Sequence, residues 1–137
     1  MSSTCDIDPN LVAKLKAFRF AKRSQGIAAL ICKIDKNKLL IEEDEDLQLE
    51  SLDELAESLP ENTPRYVVVS YELKHDDGRV SYPLVFIYYS PNGVKPELNM
   101  LYASAKTHFQ TANDLGKVFD LHDAESLTEK WMRTKLL

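Results

Sequence analysis

Hydrophobic and polar residues alternate along this chain in two periods that divide it cleanly. Leu11, Val12, Leu15 and Phe18 recur at helical spacing after Asp8-Pro9, an acid suited to cap a helix followed by a proline suited to its first turn. The pattern predicts a helix to about Lys22, broken by Ser24-Gln25-Gly26. Ile27 to Ile34 is a nearly continuous apolar run, as expected of a central strand covered on both faces. Asp35-Lys36-Asn37 predicts a turn, and Lys38 to about Glu43 a returning strand. Ser51 and Glu54 have the spacing of a capping box for a short helix ending near Leu59-Pro60.

Arg65 to Lys74 is rich in β-branched and aromatic residues and predicts a strand. His75-Asp76-Asp77-Gly78 predicts a tight turn, and Arg79 to Tyr89 the return strand, in which Pro83 implies an edge position or a bulge. Pro96 opens a long helix expected to reach about Leu115, with Ala112 on its apolar stripe and Gly116 as its stop. Lys117 to Leu121 reads as a short strand. A last helix starts near Asp123 or Ser126, the latter in capping-box spacing with Glu129, and carries Leu127, Trp131, Met132 and Leu136. The segment from Met1 to about Asp8 lacks periodicity and is expected to be a flexible leader before one domain over residues 9–137. Five or six strands, several strongly apolar, need helices on both faces. The fold class is α/β (α+β), a mixed sheet between helices.

The long helix has two unlike faces. At about 100° per residue, Leu98, Leu101, Tyr102, Ala105 and Phe109 form an apolar stripe that must face a core. The opposite side carries Met100, Ala103, Ser104, Thr107 and Thr111, small residues around one flexible, polarizable methionine. Such a face is either ordinary surface or one that admits a partner closely, with the methionine filling a pocket in it.

Composition narrows the functions. The chain has 137 residues, 44% of them hydrophobic, enough for one core, and a net charge of −5 that argues against nucleic-acid binding. Charge is unevenly placed. Pro9 to Ile34 contains no acid and six bases (Lys14, Lys16, Arg19, Lys22, Arg23 and Lys33), while Leu39 to Pro64 contains acids and no Lys or Arg. These runs are either solvated surfaces or surfaces of charge complementary to a partner. Cys5 and Cys32 cannot form a disulfide framework, and Cys32, in an apolar run, reads as a core thiol. No secretory signal or membrane-length apolar run is present, so a cytosolic location is expected.

His75, His108 and His122 lack zinc-type spacing with other ligands, and neither a phosphate loop nor a nucleophile elbow can be written. Asp76-Asp77 reads as a turn former. A binding module with no cofactor is therefore expected rather than an enzyme.

Four stretches carry a resemblance. HDDGRVSYPLVFIYYSP (His75–Pro91), KIDKNK (Lys33–Lys38), MLYASAK (Met100–Lys106) and LTEKWMRTKL (Leu127–Leu136) are similar, in order and spacing, to the glia maturation factor family, from about residue 5 to the C-terminus. MLYASAK alone marks the wider superfamily with the actin-depolymerising factor homology fold. The resemblance implies that fold, and docking on an actin fold through the leader, the long helix and the start of the last helix. It implies that Ser2 and Ser3 lie against the partner, that Met100 enters the cleft at the barbed end, and that Glu97, Asn99, Ala103, Ser104, Lys106 and Thr107 surround it. Cofilin-like relatives place bases where Glu97 and Asn99 stand, which implies weak or no binding to acidic actin. The implied partner is instead the actin-related protein 2/3 complex, through its actin-related subunits, at cortical branched actin, with the protein acting as a monomer. The implied outcome is suppressed branch nucleation and promoted debranching. A second contact is implied at the turn holding Asp76, Asp77 and Arg79. A cofilin-like filament-binding and severing protein is the alternative.

Overall fold

The computed structural model describes residues 5–20 and 27–137. Its frame is the apolar run, which forms β2 (Ile27–Asp35). Antiparallel neighbours flank it: β3 (Leu40–Leu49) on one side and β4 (Arg65–Ser70) on the other. Beyond β4 come β7 (Leu84–Tyr89), antiparallel, and β8 (Lys117–Leu121), parallel to β7. A two-residue strand, β1 (Asp6–Ile7), pairs parallel with β3 at the far edge, giving a six-stranded mixed sheet of order β1-β3-β2-β4-β7-β8.

Within the run, alternate residues serve different cores, because successive side chains of a strand point to opposite faces. Ala28, Leu30, Cys32 and Ile34 join Tyr66, Val68 and Phe86 under α1 (Pro9–Phe20) and α3 (Pro96–Ala112). Ile27, Ala29 and Ile31 join Val67, Val69, Val85 and Ile87 under α2 (Leu52–Ser58) and α4 (Glu129–Leu136). The expected sheet between helices is what forms. The parallel β7–β8 pair needs a crossover connection, and α3 supplies it.

Several local expectations are corrected. Within the expected leader, Cys5 is buried and Asp6–Ile7 pairs with β3, the Asp6 amide donating to the Leu39 carbonyl at 2.9 Å. Asp8 does cap α1, accepting from the Asn10 amide at 3.0 Å. The expected end of α1 near Lys22 and its Ser24-Gln25-Gly26 break lie outside the described residues.

The second strand does not stop at Glu43. It continues through the acidic run to Leu49, because its partner β2 is a long apolar strand that would otherwise leave its ladder unpaired. Three of the carboxylates face bases of the same molecule. Lys14 Nζ lies 2.6 Å from Glu43 and 3.1 Å from Asp46, while Asp44 meets Arg65 Nε at 3.1 Å and Lys33 Nζ at 3.8 Å.

The strand expected from Arg65 to Lys74 breaks after Ser70. A separate hairpin, β5 (Leu73–Lys74) with β6 (Val80–Ser81), leaves the main sheet, and Pro83 sits at the break before β7. Gly78, with φ of 91°, turns it.

Neither capping box forms. Ser51 makes no side-chain cap to α2; the Leu52 amide meets Glu129 Oε1 at 3.4 Å instead. Asp123 caps a 3-10 turn (Ala124–Ser126), and Thr128 caps α4, accepting from the Trp131 amide at 3.1 Å. The long helix ends at Ala112, which is exposed rather than on the apolar stripe. Its stop is Asp114 in the left-handed region (φ 52°), with the Leu115 amide reaching back to the Gln110 carbonyl at 3.0 Å, so Gly116 is not needed as the terminator. Arg19 Nη2 of α1 adds donors to the Asn113 and Asp114 carbonyls, at 2.9 and 2.6 Å.

Two outcomes follow for stability. The Tyr102 hydroxyl accepts from the buried Ile34 amide at 2.9 Å. Tyr102→Phe leaves that donor unsatisfied and should cost about 1–3 kcal/mol, read as a lower urea midpoint with an unchanged slope. In the Asp35 turn, bonds from the Lys38 and Asn37 amides hold the carboxyl below its ordinary range. A depressed folded-state value adds stability above the unfolded value, and that gain fades as pH falls through the folded value. The stability advantage of wild type over Asp35→Asn should therefore shrink in urea titrations as pH drops below about 4.

Candidate protein-docking face

Helix α3 begins at Pro96, where a missing amide hydrogen costs nothing, with Glu97 in the first turn favourable to the helix dipole. What orients it is a set of rings. The Tyr66 ring of β4 stacks on Phe109 with centroids 5.0 Å apart and meets Tyr102 edge-on at 5.4 Å. Phe86 closes the group at 5.3 Å from Phe109. The Tyr66 hydroxyl donates to the Tyr102 carbonyl of α3, and Tyr102 reaches β2 through the Ile34 amide. Burial pushes the Tyr66 and Tyr102 phenols up, so both stay protonated at any physiological pH.

With Tyr102, Ala105 and Phe109 fully buried and Leu98 and Leu101 half-buried, the other face turns outward. Met100 is 71% exposed, the most exposed of the large apolar side chains among the described residues. Ala103, Ser104, Thr107 and Thr111 are exposed beside it, as are Glu97 and Asn99. Ser104 folds back on its own helix, donating to the Leu101 carbonyl at 2.8 Å. Asn99 Oδ1 accepts from Ser90 Oγ at 3.1 Å. The structure thus brings Glu97, Asn99, Met100, Ala103, Ser104 and Thr107 onto the solvent side of one helix. Lys106 differs: it is half-buried, with Nζ 3.2 Å from Asp120 Oδ1 and 5.1 Å above the Tyr88 ring. Asp120 had no sequence signal as its partner, since β8 joins β7 only through the crossover. Ser2 and Ser3 lie outside the described residues.

Asp76, Asp77 and Arg79 sit on a different element, the turn of the small hairpin. Asp77 accepts from the Arg79 amide at 3.1 Å and pairs with its Nε at 2.7 Å, and these bonds hold its carboxyl below the usual range. Asp76 is open to solvent, 3.9 Å from Arg133 Nη2 of α4. Glu129, expected only as the capping-box partner of Ser126, instead receives the Tyr71 hydroxyl and the Leu52 amide and so ties α4 to both α2 and the residue after β4.

Among the described residues no group of three or more His, Cys, Asp or Glu is placed to hold a metal, and no helix is long and apolar enough to cross a membrane. The histidines remain apart, His75 on Ser81 Oγ at 2.8 Å and His122 on the Ser90 carbonyl at 3.1 Å. Cys32 is buried, and burial raises its thiol well above the ordinary range.

Comparison with known proteins agrees with this architecture. Residues 4–137 match the family described as cofilin/tropomyosin-type actin-binding protein. Glia maturation factor beta of Homo sapiens is 52% identical over 132 residues, 96% of this chain and 92% of that protein. The glia maturation factor of Drosophila melanogaster is 43% identical, over 96% of this chain and 95% of its own. The solution structure of glia maturation factor from Caenorhabditis elegans superposes with a TM-score of 0.82 at 35% identity, covering 98% of this chain and 99% of that one. The chain therefore belongs to the glia maturation factor family, within the actin-depolymerising factor homology superfamily of non-enzymatic actin-cytoskeleton regulators.

Proposed function

We propose that this protein binds the actin-related protein 2/3 complex through the outward face of α3, inhibits branched nucleation and promotes debranching. One observation carries the reading: a single large apolar side chain, Met100, stands exposed among small residues on a helix anchored behind by buried aromatic rings. A flexible thioether suits a cleft between two lobes, and the small neighbours let the partner's backbone come close. Seated at the barbed end of an actin-related subunit, the helix occupies the place of a first daughter-filament actin. Debranching follows if the protein binds the debranched complex more tightly than the branched one, since a ligand shifts an equilibrium only by its differential affinity. The exposed Glu97 and Asn99 supply no cation toward acidic actin, which favours the actin-related subunits over actin itself. The leader with Ser2 and Ser3 is proposed to lie along the same partner, and Asp76, Asp77 and Arg79 to make a second contact.

The cofilin-type family match supports one other reading, binding and severing of actin filaments. Filament co-sedimentation separates the two: actin affinity in the micromolar range or tighter speaks for severing.

Met100→Asp should reduce affinity for the purified complex at least about tenfold and relieve inhibition of branching in a polymerisation assay. Its unfolding midpoint should stay within about 0.5 kcal/mol of wild type, because Met100 touches the core little. Unchanged affinity would remove α3 as the docking element. Replacing Asp76 and Arg79 together by Ala should weaken complex binding by a smaller factor, roughly two- to fivefold, in the same assay. No change would confine docking to α3.

A further inference from the structure

Lys106 is the only Lys or Arg within α3, and so the only strong cation that the helix itself brings to the docking face. It is not free to meet a partner. Its ammonium lies 3.2 Å from Asp120 Oδ1 and 5.1 Å above the Tyr88 ring, and the side chain is only 25% exposed. Tyr88 and Asp120 face each other in register across the parallel β7–β8 pair, so ring and carboxylate form one platform at the sheet edge. Lys106 lies down across that platform. Asp120 is itself 57% exposed, so its remaining oxygen presents negative charge beside the helix.

We infer that Asp120 is a specificity-determining residue of the α3 face, holding Lys106 against the Tyr88 ring and cancelling the one cation within α3 itself that could draw an acidic actin surface. The inference rests on docking through α3. It extends the effect of Glu97 and Asn99: those two positions supply no positive charge, while Asp120 neutralises the charge that is present. An exposed ion pair contributes little to folding, so its main consequence falls on recognition, where uncancelled charge alters encounter and partner choice.

The test is Asp120→Asn, which keeps shape and an acceptor oxygen but removes the charge. Affinity for monomeric actin is measured by fluorescence anisotropy at low and high salt, beside affinity for the purified actin-related protein 2/3 complex. The variant should bind actin about threefold more tightly than wild type at low salt, with the gain vanishing as salt screens it. Removing Asp120 also removes a repulsive charge, so the double variant Asp120→Asn, Lys106→Ala decides the cause. If Lys106 is the released group, the double variant loses the gain. A gain that persists without Lys106, no gain at all, or a gain insensitive to salt overturns the assignment. Met100→Asp in the same assay separates the two claims. Complex binding lost with Met100→Asp, while Asp120→Asn does nothing, removes only the role of Asp120. Complex binding retained with Met100→Asp removes the docking reading and this inference with it.

Discussion

The structure depends on how Tyr66 holds α3 to the sheet. Its ring stacks on Phe109, its edge contacts involve Tyr102 and Phe86, and its hydroxyl donates into the helix backbone at the Tyr102 carbonyl. Tyr102 answers by accepting the Ile34 amide of β2. Stacked or edge-on ring pairs favour particular geometries, and a buried hydrogen bond is costly to leave unmade, so the helix has one rotational setting rather than several. Every property of the outer face follows from that setting. A rotation of a third of a turn would carry Met100 toward the core. The outer face of α3 is thus specified from behind, by fully buried residues.

A second constraint is the internal settlement of charge. The basic helix α1 and the acidic strand β3 are far apart in charge along the sequence but adjacent in space, where Lys14 bridges Glu43 and Asp46. Asp44 takes Lys33 and Arg65. Such pairs add little stability singly. With three of the five acids from Glu42 to Asp46 so paired, the run can occupy a strand beside a largely apolar one. The acids also blunt the outer edge of β3, where β1 covers only Leu40 and Ile41. The net charge that remains for partners is smaller than the sequence blocks suggest.

The layered fold was legible because its signals were strong and local: a long, nearly continuous apolar run, a turn with glycine at Gly78, and a helix with an apolar stripe. The exposed side of α3 was legible for the same reason, since periodicity assigns both faces at once. What the pattern did not carry were features decided by contacts distant in sequence. Residues Asp44–Asp46 look like a solvated linker by themselves and become strand only because β2 needs a partner. Ser51 and Ser126 had capping spacing, yet Glu129 and Thr128 took the work once α4 packed against its neighbours. Cys5 and Ile7 carry no period in so short a segment, and their place is set by the edge of β3. Asp120 could be tied to Lys106 only after the crossover placed β8 beside β7.

The central claim is that Met100 is covered when the protein is bound. Oxidative footprinting with mass spectrometry reads this directly, because thioether oxidation follows solvent access. The molecule also has an internal reference, since Met132 is fully buried while Met100 is 71% exposed. On titration with the actin-related protein 2/3 complex, oxidation of Met100 should fall in proportion to occupancy while Met132 stays protected throughout. A complex that forms with Met100 as reactive as in the free protein would contradict the account.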